Sequence, residues 1–93
     1  MYIDDFIWLE EIVEKLERKH NVSMDEVEEV FENKPGFRYV SKGRRNKDEN
    51  LYAAYGQTEA GRYLTVFFIY KPGNLALVIS ARDMDSKERK TYG

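Results

Sequence analysis

Two arginines stand where a strand is expected to meet a turn or a helix. Arg82 follows Ile79-Ser80-Ala81 just before a short helix, and Arg62 follows the turn Glu59-Ala60-Gly61. A guanidinium there can leave the core and offer a planar fork that pairs with two oxygens of one phosphate. His20 is the only histidine. It is also the only side chain whose ordinary pKa lies near neutrality, which makes it a candidate proton acceptor. Glu49, Glu88 and Tyr92 are further groups able to move a proton. Two basic runs could neutralise phosphates: Arg44, Arg45 and Lys47, then Lys87, Arg89 and Lys90 beside Tyr92. Tyr39, Tyr52, Tyr55, Tyr63 and Tyr70 could stack on bases if exposed.

Each of these has a structural alternative. Arg82 can pair with Glu88 or with an acid of the first helices, and Arg62 can be an ordinary exposed turn residue. A histidine where one helix ends and the next begins commonly caps the helix carboxyl end. Glu88 lies three residues after Asp85, the spacing of a capping box. Basic runs usually form a solvated face, and strand tyrosines usually form core or cross-strand pairs.

The elements must place these groups within 93 residues, the length of one domain, here taken as 1–93. Apolar residues make up 42% and charged residues 34%, enough for a core and too ordered a pattern for disorder. There is no Cys, so disulfides, thiolate metal sites and a Cys nucleophile are excluded, and a single His excludes a His-rich metal site. No Gly-rich phosphate loop, Ser–His–Asp spacing or metal-spaced carboxylate pair is present, so neither metal nor cofactor is expected. No apolar run approaches a membrane span, and the acidic start lacks the basic region of a secretory signal, so a cytoplasmic protein is expected. The net charge of −2 hides a division. Residues 1–32 carry 3 basic and 11 acidic side chains, while residues 33–93 carry 12 and 6. One part of the surface can meet a polyanion and another a basic partner, unless the helices only neutralise the sheet.

Periodicity gives an α+β order: two N-terminal helices, a four-stranded antiparallel sheet and a short C-terminal helix. Leu9, Ile12, Val13 and Leu16 predict a helix over about 9–19, with Asp4 or Asp5 able to cap an earlier start. Asn21 suits its end. Ser23 and Glu26 form a capping box for the next helix, which Pro35-Gly36 stops. Phe37–Ser41 reads as an edge strand, followed by a polar loop over 42–50. Strands follow at Leu51–Thr58, Arg62–Tyr70 and Leu75–Ala81, the middle one central and covered on both faces. Asp85 caps the last helix.

Trp8, Lys19-His20-Asn21-Val22-Ser23, Glu26 and Phe31, then Gly56 and Thr58, Gly61-Arg62-Tyr63-Leu64, Ile79-Ser80-Ala81-Arg82, and Glu88-Arg89 with Tyr92 occur in one order along nearly the whole chain. In these segments the sequence resembles the BrnT family of toxins. The resemblance implies a RelE-like fold and a metal-independent endoribonuclease held by a cognate antitoxin of ribbon-helix-helix type. DNA would then be met only through that antitoxin. It also implies catalytic roles for Arg82, Arg62, His20 and Glu49, and RNA contacts from Arg44, Arg45, Lys47, Lys87, Arg89, Lys90 and Tyr92. The family places an Arg in an E-x-R context after its acid and another before I-I-S-A-R. Here Asp48-Glu49-Asn50 and Leu77 stand there instead. The alternative function is therefore a catalytically weak or inactive domain of this family that binds protein or RNA.

Overall fold

The computed structural model describes residues 1–42 and 49–92. The chain opens with a short strand β1 (Asp5–Ile7), then helix α1 (Glu10–Lys15), which widens into a π-helical turn (Leu16–His20). Helix α2 (Met24–Glu32), strands β2 (Gly36–Ser41), β3 (Leu51–Gln57), β4 (Tyr63–Lys71) and β5 (Leu75–Asp83), and helix α3 (Ser86–Tyr92) follow.

The sheet has five strands in the order β1-β5-β4-β3-β2, and it is mixed: β1 runs parallel to β5, and the other pairs are antiparallel. This corrects the expected four-stranded antiparallel sheet. Asp5-Phe6-Ile7 is too short to display a period. Residues 4 and 5 do not cap a helix; the Asp4 amide bonds the Asn74 carbonyl at 2.7 Å and starts the ladder to β5. Phe6 packs edge-on against Phe31 of α2 with ring centres 5.0 Å apart, so a three-residue strand is held by aromatic contact as well as by pairing.

The two helix boundaries match their sequence signals. Asn21 adopts a left-handed conformation (φ 53°) and closes the π turn with its amide on the Leu16 carbonyl. The Ser23 hydroxyl accepts from the Glu26 amide at 3.2 Å, while the Glu26 carboxylate accepts from the Ser23 amide at 3.1 Å.

Leu16, Val22, Val27 and Val30 from the helical layer meet Ala54, Leu64, Val66, Phe68, Ala76, Val78 and Ala81 on one sheet face, and all are buried. Gly56 is where α2 comes closest. A Cβ there would lie 2.9 Å from Val30 Cγ1 and 3.2 Å from the Val30 carbonyl, so the close approach of helix to sheet requires glycine.

β4 is the middle strand, as expected, but its second face is only partly covered. Thr65 is fully buried there, whereas Phe67 and Ile69 are half-buried. The cover on that face is α3, and seven residues span about 10 Å at the rise of an α-helix, too short to roof a nine-residue strand. The uncovered part of the sheet, walled by α3, is where the chemistry-bearing groups collect.

Candidate active site

Successive strand residues face opposite ways. The register therefore sorts Arg82 and Asp83 onto different faces of the sheet. Gly36, Tyr55, Thr65 and Arg82 lie side by side in one row across β2, β3, β4 and β5. In the next row, Arg38 stands beside Ala53 and Phe67. On this face β2 and α3 enclose a groove of about 750 Å³. It is bounded by Lys34 to Arg38 on one side and by Asp85, Lys87, Glu88, Thr91 and Tyr92 on the other, with Tyr55 between them.

The polar groups on this face are held in fixed orientations: Glu88 lines the groove, and Arg82, outside its lining, is tied to it. Arg82 forms a two-pronged pair with Glu88, Nη1 to Oε1 at 2.7 Å and Nη2 to Oε2 at 2.9 Å. The same carboxylate accepts from the Thr65 hydroxyl at 3.0 Å and from the Asp85 amide at 3.0 Å. Asp85 answers by accepting from the Glu88 amide at 2.8 Å, the reciprocal box that starts α3. Glu88 thus joins the helix start, the central strand and Arg82. The Arg82 guanidinium also rests over the Phe67 ring, 5.4 Å from its centre. Across the groove, Arg38 donates through Nε to the Tyr55 phenol oxygen at 2.9 Å. In the row across the sheet, Thr65 stands between Tyr55 and Arg82.

The Arg82 hydrogen bond is the chief reason that the Glu88 carboxyl lies below its ordinary 4.5, at about 2. Burial opposes the shift, and the Asp85 amide and Thr65 hydroxyl assist it. A carboxyl lowered on folding stabilises the fold above its unfolded pKa and loses that contribution as pH falls through the folded value. The pair's stabilisation is therefore expected to be complete above about pH 4.5 and lost on acidification toward pH 2. Urea unfolding of the parent and Glu88→Gln across that range checks this. The parent should lose more stability than the variant, and equal losses would remove Glu88 from the account.

The remaining sequence candidates fall elsewhere. Arg62 sits on the helix side of the sheet, where every nitrogen of its guanidinium is engaged. Nε and Nη2 bond Asp83 at 2.8 and 3.3 Å, Nη2 bonds the His20 carbonyl at 3.0 Å, and Nη1 bonds the Asn21 carbonyl at 2.6 Å and Glu26 at 3.3 Å. His20 lies at this clamp, and its backbone carbonyl forms part of it. The Asp83 carboxyl is pulled below its usual range, mainly by the Arg62 hydrogen bond, with smaller help from the charges of Arg62 and His20. Glu49 pairs with Lys71 at the far end of β4. Six strand positions separate Lys71 from Thr65, roughly 20 Å. The fold therefore brings Arg82, Glu88, Lys87 and Tyr92 together and keeps His20, Arg62 and Glu49 apart from them.

Arg89 lies over the Tyr63 ring at 4.1 Å, and Tyr92 meets the same ring edge-on. Lys90 is exposed. Arg44, Arg45 and Lys47 lie outside the described residues. Sequence reasoning missed Arg38, Lys34 and Tyr55 as members of one site. For Arg38 and Tyr55 the only signal was alternation within β2 and β3, which assigns a face without saying which helix borders it; Lys34 lies before β2 and carried none. Among the described residues, no three His, Cys, Asp or Glu side chains are grouped to hold a metal ion.

The family model described as the ribonuclease toxin BrnT of type II toxin–antitoxin systems matches residues 8–88 of the 93. The chain belongs to the BrnT family. It is accordingly a ribonuclease toxin whose target is RNA and whose partner is an antitoxin, and the reading of an inactive binding module is not favoured. No curated protein matches the chain. The BrnT match runs from Trp8, whose indole N–H bonds Glu28 at 3.0 Å, to Glu88, the carboxylate that fixes Arg82. Both the helix-side clamp and the groove lie largely inside it. No helix among the described residues is long and apolar enough to cross a membrane.

Proposed function

We propose that this BrnT toxin cuts RNA in the groove between β2 and α3, without a metal ion. What carries the reading is the arrangement of Arg38, Tyr55, Arg82 and Glu88 on the uncovered sheet face. Cleavage of this type uses the ribose 2′-hydroxyl as nucleophile. Its oxygen attacks the adjacent phosphorus, a base takes its proton, and the bond to the 5′ oxygen breaks as an acid protonates that leaving oxygen. Arg38, Arg82 and Lys87 supply positive charge against the phosphorane. The Tyr55 oxygen accepts from Arg38, which leaves the phenol's own hydrogen to be donated to the leaving oxygen. Of the two carboxylates along the groove, Glu88 already serves four donors and acts as a positioning group, leaving Asp85 as the base in this reading. Tyr92 and the basic residues of α3 extend the surface along which the strand runs.

The RelE-like fold, the ribbon-helix-helix form of the antitoxin, the contact with DNA through it and action in the cytoplasm belong to the same reading. They are supported by the family resemblance in the segments from Trp8 to Tyr92. The test is cleavage of a structured RNA by the purified toxin in excess EDTA. Cutting at an unchanged rate, with products ending in a 2′,3′-cyclic phosphate and a 5′-hydroxyl, is expected. Loss of cutting that added divalent metal restores would contradict the reading.

A further inference from the structure

We propose that the outer edge of β2 takes up an extended segment of the antitoxin as a sixth strand, and that this segment alternates acidic and apolar side chains. β2 is the last strand of the sheet and pairs only with β3, so its other backbone edge has no neighbouring strand among the described residues. Unpaired edge N–H and C=O groups are a template for another peptide chain. The opposite edge strand, β1, has only three residues and pairs with Leu75–Leu77 of β5, so it offers a much shorter ladder than the six residues of β2.

The two faces of this edge differ in chemistry. Arg38 projects on the groove side, opposite Lys87 of α3, and Lys34 lies just before the strand. On the other side are Phe37, half-buried against Phe31 and Phe68, and Tyr39, 49% exposed and edge-on to Tyr52. Side chains directly opposite one another on neighbouring strands interact most strongly, and opposite charges there stabilise. An added strand would therefore set an acid beside Arg38 and, one residue on, an apolar side chain against Tyr39. Gly36–Ser41 contains no acidic residue. A second copy pairing through β2 would bring Arg38 against a strand with no opposite charge to offer, which disfavours self-association there. RNA has no peptide ladder to add. The antitoxin, the protein partner implied by the family, fits both the ladder and the charge.

Such a strand would border the groove and draw Arg38 away from phosphate. This inhibitory consequence rests on the proposed active site, whereas the strand addition itself does not. The test uses the toxin alone and bound to its cognate antitoxin. Backbone hydrogen exchange at residues 36–41 is expected to slow by at least about tenfold in the complex, and Arg38→Glu should weaken the complex by at least about tenfold. A complex that forms while exchange over 36–41 stays unchanged overturns the proposal. So does protection of the same residues in the toxin alone as it dimerises, which would assign the edge to a second copy. If strand protection is seen but Arg82→Ala still cuts RNA, the active-site reading fails and the docking edge stands.

Discussion

Replacement of Arg82 by alanine is expected to slow RNA cleavage by about a hundred- to a thousand-fold, the usual effect of removing one preorganised donor from a developing oxyanion. The protein should remain folded, because Arg82 is about one-third exposed and contributes no hydrophobic core. Arg82→Lys should recover little. Lysine presents a point charge in place of a fork and cannot hold both Glu88 oxygens at 2.7 and 2.9 Å while facing a phosphate. Arg38→Ala should fall in the same range, since it removes a cation and frees the phenol of Tyr55 to rotate. Single-turnover cleavage rates, compared at matched circular dichroism spectra, check these values. An Arg82→Ala rate within threefold of the parent would contradict the role given to Arg82.

Arg62→Ala is expected to act on stability instead. Its guanidinium ties the carbonyls ending the π turn to α2 through Glu26 and to β5 through Asp83. Hydrogen bonds to charged groups contribute more than neutral ones. Removing this hub should cost about 2–4 kcal/mol, discounted because Asp83 is largely exposed. In a chain of this length each kcal/mol lowers the melting temperature by roughly 4–8 °C. Below the transition, cleavage per folded molecule should match the parent. A variant that melts like the parent but no longer cuts RNA would return Arg62 to the catalytic set.

These two arginines also mark what a sequence can disclose. Both occupied positions where a strand meets a turn, and both lay within segments resembling BrnT. Their types and positions were compatible with catalysis, but also with an ion pair for Arg82 and with an ordinary exposed turn residue for Arg62. Only the register separates them. Arg82 faces the open side of the sheet, and Arg62 follows Asp83 to the helix side. The capping boxes at Ser23–Glu26 and Asp85–Glu88 were readable because they depend on neighbours three residues apart. The three main antiparallel strands were readable from their apolar runs. β1 was not, because its pairing with Leu75–Leu77 spans the whole chain and involves three residues. The pairing of Arg38 with Tyr55 crosses two strands, and no local pattern marks it. The acidic first third proved to be the helical layer. Arg38, Lys34 and Lys87 line the groove, and Arg82 lies on the same sheet face. Part of the charge division seen along the sequence is therefore also a division between the two sides of the molecule, with Arg62 on the helix side and Asp85 and Glu88 at the groove as exceptions.

The most direct test of the groove as the active site is to locate uncleaved RNA on the protein. A short RNA with 2′-O-methyl groups lacks the nucleophile and should bind without reacting. Amide chemical shifts of the labelled toxin, followed on addition of this RNA, are predicted to move at Gly36, Arg38, Tyr55, Lys87 and Thr91. Those around His20, Asn21 and Arg62 should stay in place. Shifts centred on His20 and Arg62, with the β2–α3 groove unaffected, would contradict the account and place catalysis on the opposite face of the sheet.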